Sequence, residues 1–347
     1  MSDSPANLDR YIRQMRYAPI GREGQARLAA GRVLLCGCGA LGSVIANTLA
    51  RAGVGYLRIV DRDFLELNNL QRQVLYDEAD VEAGLPKAIA AAEKLRRINS
   101  QIEIEPVVAD VSHANIRSLA DGVDLILDGT DNFETRLLVN DFAIASGLPW
   151  VYGGCIGAEG QSMTILPGRS ACLACFMPDA PPPGTTPTCD TAGIVGPIVN
   201  VVASIQSMEA IKILSGNLDA ASTHLTVVDL WENRIRRLDM RPLRDSGTCR
   251  ACHQRDLPWL EGKRGSHSAV LCGRNAVQLS PDDSHRVSLE QIATRLQDVG
   301  EVFRNPFLLR VKVDGYTITV FPDGRAIVGG TDDPAVARTV HAKYIGA

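Results

Sequence analysis

Gly37-Cys38-Gly39-Ala40-Leu41-Gly42 places three glycines in a G-x-G-x-x-G spacing directly after the apolar run Val33-Leu34-Leu35-Cys36. That spacing suits a phosphate. Glycine lets the backbone come close, and the first turn of a following helix offers N–H groups with no intrahelical partner. Asp61 ends the next apolar run, Leu57-Arg58-Ile59-Val60, where a carboxylate can accept from ribose hydroxyls. Alone, these residues read as an NAD or FAD site, or as a tight strand-to-helix turn that binds nothing. Three more features favour a triphosphate. Asn68-Asn69-Leu70-Gln71-Arg72-Gln73 brings amides and a guanidinium to the same edge, Lys87 opens the next helix, and Asp131-Asn132 follows a further apolar strand. Arg72 and Lys87 would neutralise phosphates, and Asp131 would hold Mg²⁺ directly or through water. A nicotinamide cofactor needs no such set; the bland alternative is scattered surface charge.

The cysteines suggest a second kind of chemistry. Cys172-Leu173-Ala174-Cys175 and Cys249-Arg250-Ala251-Cys252 are two C-x-x-C pairs. Four thiolates at Zn–S distances of about 2.3 Å make a closed tetrahedral site, so structural Zn²⁺ is the expectation. The pairs are too far apart for one zinc finger, and the metal would staple two distant segments. A redox dithiol or simple buried thiols are the other readings. Cys189 ends a proline-rich loop, residues 176–190, just before Asp190-Thr191-Ala192-Gly193. A thiol near a helix N-terminus can be activated for covalent catalysis, and a non-essential loop cysteine is the equal alternative. Cys36, Cys38, Cys155 and Cys272 read as packing residues.

The elements that must position these residues alternate. Residues 1–30 hold a helical arm, with Leu8, Tyr11, Ile12 and Met15 at steps of three and four. Strands at 33–36, 57–60, 102–108, 125–127 and 150–152 are separated by helices after Gly39, at 86–98, near 116–119 and at 133–146. This pattern predicts an α/β fold: a Rossmann-like, mainly parallel sheet covered on both faces. After Gly160 the pattern changes. A helix of about sixteen residues ends at Gly216, and residues 225–230 and 234–238 predict a hairpin, an antiparallel extension of the sheet. Residues 31–252 would form this domain and the polar stretch 253–268 a linker. Residues 269–347 would form a small α+β domain. There, Asp314-Gly315 between two apolar alternating runs is a hairpin signal, and helices are expected at 288–298 and 334–344.

Composition narrows the function class. The 347 residues suggest about two domains. A hydrophobic fraction of 45% with 22% charged residues excludes a disordered or fibrous chain. The net charge of -4 argues against a nucleic-acid or membrane surface. No apolar run reaches the roughly 18 residues that would span a bilayer. Met1-Ser2-Asp3-Ser4-Pro5 lacks the basic and apolar regions of a signal peptide, and nine cysteines without such a signal fit thiols and metal ligands in a reducing cytoplasm.

In order along the chain stand Arg10-Tyr11-Ile12-Arg13-Gln14, Gly37 to Gly42, Ala52-Gly53-Val54-Gly55, Asn69 to Gln73, Thr130-Asp131-Asn132-Phe133 and Glu159-Gly160-Gln161. Cys172 to Cys175, Cys189 to Gly193 and Met208-Glu209-Ala210-Ile211-Lys212 follow. With these, residues 8–252 resemble the ThiF/MoeB/HesA adenylyltransferases, relatives of ubiquitin-activating enzymes. The resemblance implies that ATP·Mg²⁺ adenylates the C-terminal Gly-Gly carboxylate of a ubiquitin-like sulfur carrier, with release of pyrophosphate. By position it gives ribose to Asp61, phosphates to Asn69, Arg72 and Lys87, and magnesium to Asp131. It implies a homodimer in which Arg13 reaches the partner's ATP, a zinc site on the four paired cysteines, and a thioester or acyl persulfide on Cys189 in some members. One departure is Ala40, where the family often has glycine. The readings to be weighed against it are a nicotinamide or flavin oxidoreductase, a tRNA-carboxylate-activating enzyme and a non-catalytic scaffold.

Overall fold

Val33 and Leu35 point into one apolar layer while Leu34 and Cys36 point into another, so the central strand is buried on both faces. The computed structural model describes residues 8–181, 189–264, 268–271, 275–279 and 287–346, in two units, Met1–Arg264 and Gly265–Ala347. The larger unit holds β1 (Arg32–Cys36), β2 (Tyr56–Val60), β3 (Glu103–Val107), β4 (Leu125–Asp128), β5 (Trp150–Ile156), β6 (Glu159–Ile165), β7 (Leu225–Asp229) and β8 (Arg234–Leu238). The sheet order is β3-β2-β1-β4-β5-β6-β7-β8. The first five are mutually parallel, and β6 to β8 extend the sheet antiparallel. This is the α/β, Rossmann-type architecture expected.

Helices α1 (Gly21–Ala30), α2 (Ala40–Ala52), α3 (Lys87–Ile98), α4 (Phe133–Ser146) and α5 (Gly196–Leu214) cover the sheet. Side chains of α2, α3 and α5 share one apolar layer, and those of α4 lie in the other. By length and composition α5, with 19 residues, is a helix that could cross a membrane. In this fold it lies against β5 and β6 and buries Gln206, Ser207 and Glu209. Glu209 accepts from the Ser222 N–H at 2.7 Å and pairs with Lys212 at 2.6 Å.

Several local expectations change. The arm is not continuous: a 3-10 turn, Leu8–Tyr11, and a short helix, Ile12–Met15, precede α1, and Pro19 in the break has no N–H to continue a helix. Pro86 caps α3 from outside, in extended backbone. Strand β6 lies where no strand was expected, because glycine and polar residues at 159–162 hide its pattern while β5 and β7 pair with it on both sides. The stretch 253–264, expected as linker, is packed instead. Leu257, Trp259 and Leu260 are buried in the larger unit's core, and the Trp259 N–H donates to Asp141 at 3.2 Å.

The smaller unit has an antiparallel sheet of β9 (Ser268–Leu271), β10 (Ala276–Leu279), β11 (Glu301–Arg304), β12 (Leu309–Val313), β13 (Tyr316–Val320) and β14 (Ala326–Gly329). Its order is β11-β12-β13-β14-β10-β9. Helices α6 (Leu289–Leu296) and α7 (Pro334–Tyr344) contribute to a core with Val277, Val311, Ile318 and Val328. Asp314 and Gly315 both take positive φ, 50° and 82°, which two-residue hairpins favour because their twist matches that of the strands. Strands β10 and β11 were not foreseen. Cys272, His267, His285 and the proline-loop residues 182–188 lie outside the described residues.

Candidate nucleotide site and cysteine cluster

Cys36 pairs with Val60 on one side and Asp128 on the other, so Gly37, Asp61 and Gly129 stand level at one edge of the sheet. Here the strand order reverses: β2 follows β1 to one side and β4 lies on the other. That crevice at the carboxyl ends of parallel strands is where open α/β sheets take ligands. Gly37 has φ 84°, and a Cβ there would lie 2.7 Å from the Gly129 carbonyl oxygen. A Cβ on Gly42 would overlap the Gly37 carbonyl oxygen, so this glycine is required for the helix to start so close to the strand. Gly39 differs. A Cβ there would meet only Gln73 Nε2, at 3.8 Å, so the chain itself leaves space above it. Gly39 is also the N-cap of α2 without a side-chain cap, and the helix's first amides are left for a ligand. Ala40 turns its side chain against the apolar layer beneath α2. The departure from glycine there does not narrow the crevice.

Asp61 is buried, and both its oxygens face backbone donors: Cys38 N–H at 2.6 Å and Asp63 N–H at 2.7 Å. Each oxygen keeps a second lone pair. Burial raises the Asp61 pKa, and the nearby Lys87 charge works against that shift. Lys87, only 4% exposed, has its Nζ 2.9 Å from Asp63 Oδ2. Arg62 pairs with Asp110 at 2.7 Å. Burial opposes its charge, but the carboxylates of Asp110, Asp63 and Asp131 outweigh it and raise its pKa, which brings Asp131 into the same field as Asp63. Asp131 itself is exposed in the turn after β4, with no hydrogen bond from the described residues. Burial pushes the Cys38 thiol up to about 12, so it stays protonated and packs.

The other residues of the expected set divide by what holds them. Asn69 is buried, accepts from the Glu66 N–H at 3.1 Å and donates to Asn68 Oδ1 at 2.7 Å. Arg72 is half-buried and donates to the Asn68 carbonyl at 2.9 Å, whereas Asn68 and Gln71 are exposed. Leu70 packs on the apolar layer. Asn132 caps α4, accepting from the Glu134 N–H at 2.8 Å. Arg13 is not brought to this crevice. Tyr11 covers Gly53, and Gln14 Nε2 donates to the Ala52 carbonyl at 2.9 Å, so the arm sits at the far end of α2. A helix of that length rises about 20 Å from the glycine turn. The Cys189 side chain lies outside the described residues; its backbone opens a short helix, Cys189–Ala192, which packs near the end of β5.

Sequence reasoning missed the residues that hold the edge together. Asp63 fixes Lys87, and its signal was an acid two positions from Asp61 at a strand end. Asp128 is buried and pairs with Arg136 at 3.0 Å, and Arg136 also donates to the carbonyls of Thr130 and Gly153. Its charge is further satisfied over the ring faces of Phe133 and Tyr152. Nothing in the sequence marks that pair, because Asp128 and Arg136 lie on different elements and Gly153 and Tyr152 reach them from β5.

Away from the crevice, Cys172, Cys175, Cys249 and Cys252 bring their sulfurs within 4.8 Å of one another. Cys172 lies 3.6 Å from Cys249 and 3.8 Å from Cys175, and Cys175 lies 3.6 Å from Cys252. Tetrahedral sulfurs at Zn–S distances of about 2.3 Å stand about 3.8 Å apart, far beyond the roughly 2.05 Å of a disulfide. The donor set therefore fits zinc. Asn140 orients it from α4, accepting from the Leu173 N–H at 2.8 Å and donating to Cys172 Sγ at 3.7 Å.

A Rossmann-type sheet with an open glycine turn, a buried ribose-type acid and cations at its switch point defines a nucleotide-binding α/β enzyme. The chain belongs to the ThiF family, whose model matches residues 11–263, and it is an adenylyltransferase. It is 43% identical over 338 residues to the sulfur carrier protein ThiS adenylyltransferase of Bacillus subtilis (strain 168), covering 97% of this chain and 99% of that one. It is 38% identical over 261 residues to the SAMP-activating enzyme E1 of Haloferax volcanii, covering 75% and 94%. Among solved structures, Escherichia coli MccB with ATP superposes with a TM-score of 0.61 at 22% identity, covering 71% of this chain and 75% of that one. That last likeness concerns the fold.

Proposed function

We propose that this adenylyltransferase activates the C-terminal Gly-Gly carboxylate of a ubiquitin-like sulfur carrier in the cytoplasm, working as a homodimer. The observation that carries the reading is the 43% identity, end to end, with an enzyme named for a sulfur carrier protein. The crevice supports it. A carboxylate oxygen attacks the α-phosphorus of ATP, a C(O)–O–P bond forms, the Pα–O–Pβ bond breaks and pyrophosphate leaves. Such a carboxylate, with an ordinary pKa of about 3.5, is already ionised at neutral pH and needs no base. No histidine stands in Gly37–Gly42, Asn68–Gln73 or Thr130–Asn132, in keeping with this chemistry. Alignment and charge neutralisation then do the catalysis. Asp61 would take the ribose, Asn69, Arg72 and Lys87 the phosphates, and Asp131 would hold Mg²⁺, which supplies charge neutralisation at the triphosphate. Zn²⁺ on the four cysteines would be structural. An oxidoreductase has no use for Arg72, Lys87 and Asp131 together at this edge.

ATP–pyrophosphate exchange tests the reading. Exchange is expected only when a small protein ending in Gly-Gly is present, and a carrier lacking those two glycines should support none; exchange indifferent to the carrier's tail would refute it. Cys189→Ala should leave exchange intact while abolishing any thioester or persulfide to the carrier, seen by mass spectrometry under non-reducing conditions. Retention of that adduct would remove Cys189 from the pathway.

The position of Arg13 supports its service to a second subunit. Arg13→Ala and Asp131→Ala chains should each be inactive alone. Mixed as refolded dimers, they should recover about a quarter of the wild-type exchange, because random pairing makes half the dimers mixed and each has one intact site of two. No recovery would place Arg13 outside the site.

A further inference from the structure

Gln73 is the unexplained polar residue beside the glycine turn. It is 3% exposed, and its Oε1 is buried with no hydrogen-bond partner. Its Nε2 has no partner among the described residues either, and it lies 3.8 Å from the point a Cβ would occupy on Gly39. The backbone around it is satisfied: the Gln73 N–H donates to the Asn69 carbonyl and the Gln73 carbonyl accepts from the Tyr76 N–H. A buried carboxamide with neither end bonded is a feature that folded chains rarely carry without a use. Turning the amide end for end does not help, since two donors would then be buried and a carbonyl oxygen would face the crevice.

We propose that the Gln73 carboxamide donates from Nε2 to the α-phosphate of the bound nucleotide, through the space left open above Gly39. This rests on the nucleotide reading above and names one further contact within it. The phosphate group is set by neighbours: the Cys38 N–H, one residue before Gly39, donates to the Asp61 carboxylate proposed to hold the ribose. A phosphate above Gly39 is therefore the one joined to that ribose, not the distal pair toward Lys87. A neutral donor suits that position, because it favours the anion without binding the departing pyrophosphate.

Calorimetric titration of the full chain with ATP, AMP and adenosine tests this. Gln73→Leu keeps the volume and removes both orphan groups, so its melting temperature without ligand should equal or exceed that of wild type. Its affinity for ATP and for AMP should fall about 10- to 100-fold, the range for a hydrogen bond to a charged group, while adenosine binding is unchanged. Gln73→Glu, the same shape with a negative charge, should weaken both phosphorylated ligands further, and it carries the test if the leucine variant does not fold. AMP affinity within about twofold of wild type in these variants would overturn the proposal, as would an equal loss for adenosine. Failure of the wild-type chain to bind any of the three would instead end the nucleotide reading, and this contact with it.

Discussion

Asp131→Ala is expected to fold as wild type and to lose ATP–pyrophosphate exchange by about 10³-fold, the scale of removing one preorganised charge-stabilising group. The two halves of this expectation have separate causes. Asp131 is exposed and takes no hydrogen bond from the described residues, so its loss leaves no buried group unpaired and should change stability by less than about 0.5 kcal/mol. Its carboxylate stands in the same field as Asp63 and Arg62, at the edge where a triphosphate would lie. Removing a carboxylate there leaves less to hold a divalent cation against the phosphates, and neutralisation at phosphorus is what this chemistry needs. Asp128, three residues earlier, is the control. Its removal would strand the buried Arg136 guanidinium and cost about 3–5 kcal/mol, so its effect should appear in melting before it appears in kinetics. If Asp131→Ala keeps its exchange rate, the metal assignment fails while the crevice keeps its other residues.

That contrast also marks how far residue types alone lead. Strands β1 and β4 are buried on both faces, so their apolar runs are unbroken and visible without a structure. Helix α4 is equally visible, with Asn132 as its cap and Gly147 in the left-handed conformation at its end. Position in a motif did not separate ligand-type residues from scaffold, however. Asn132 and Leu70 stand among the expected binding residues, yet one caps a helix and the other packs the core. Asn69 holds its own turn as well, through Glu66 and Asn68, beside the phosphate role proposed for it. What stayed hidden is long-range. The Asp128–Arg136 pair is completed from β5 by Gly153, β6 exists because β5 and β7 flank it, and residues 253–264 look polar until Trp259 meets Asp141. Each depends on contacts between segments that no local window contains.

The other large effect belongs to the cysteine cluster. Purified protein is expected to carry one zinc per chain, and Cys249→Ala to lose it and at least about 3 kcal/mol of stability, seen as a fall of roughly 6–12 °C in melting temperature. Two segments explain the size. One cysteine pair is the N-cap Cys172 and Cys175 of the helix Leu173–Phe176, and the other begins the strap of residues 249–264 that closes over α4. Arg250, between Cys249 and Cys252, pairs with the buried Asp141 at 3.1 Å and donates to the Pro178 carbonyl at 3.0 Å, so the strap, α4 and the start of the proline loop meet at one point. Without metal, two of the four sulfurs remain in the core and the strap keeps only its apolar anchors, Leu257, Trp259 and Leu260. A loosened strap would also release residues 176–181, which lead toward Cys189. The variant should therefore be cut by protease within residues 176–181 before the sheet unfolds. Metal analysis finding no zinc, together with a Cys249→Ala protein that melts and is cleaved like wild type, would reduce the cluster to four packed thiols.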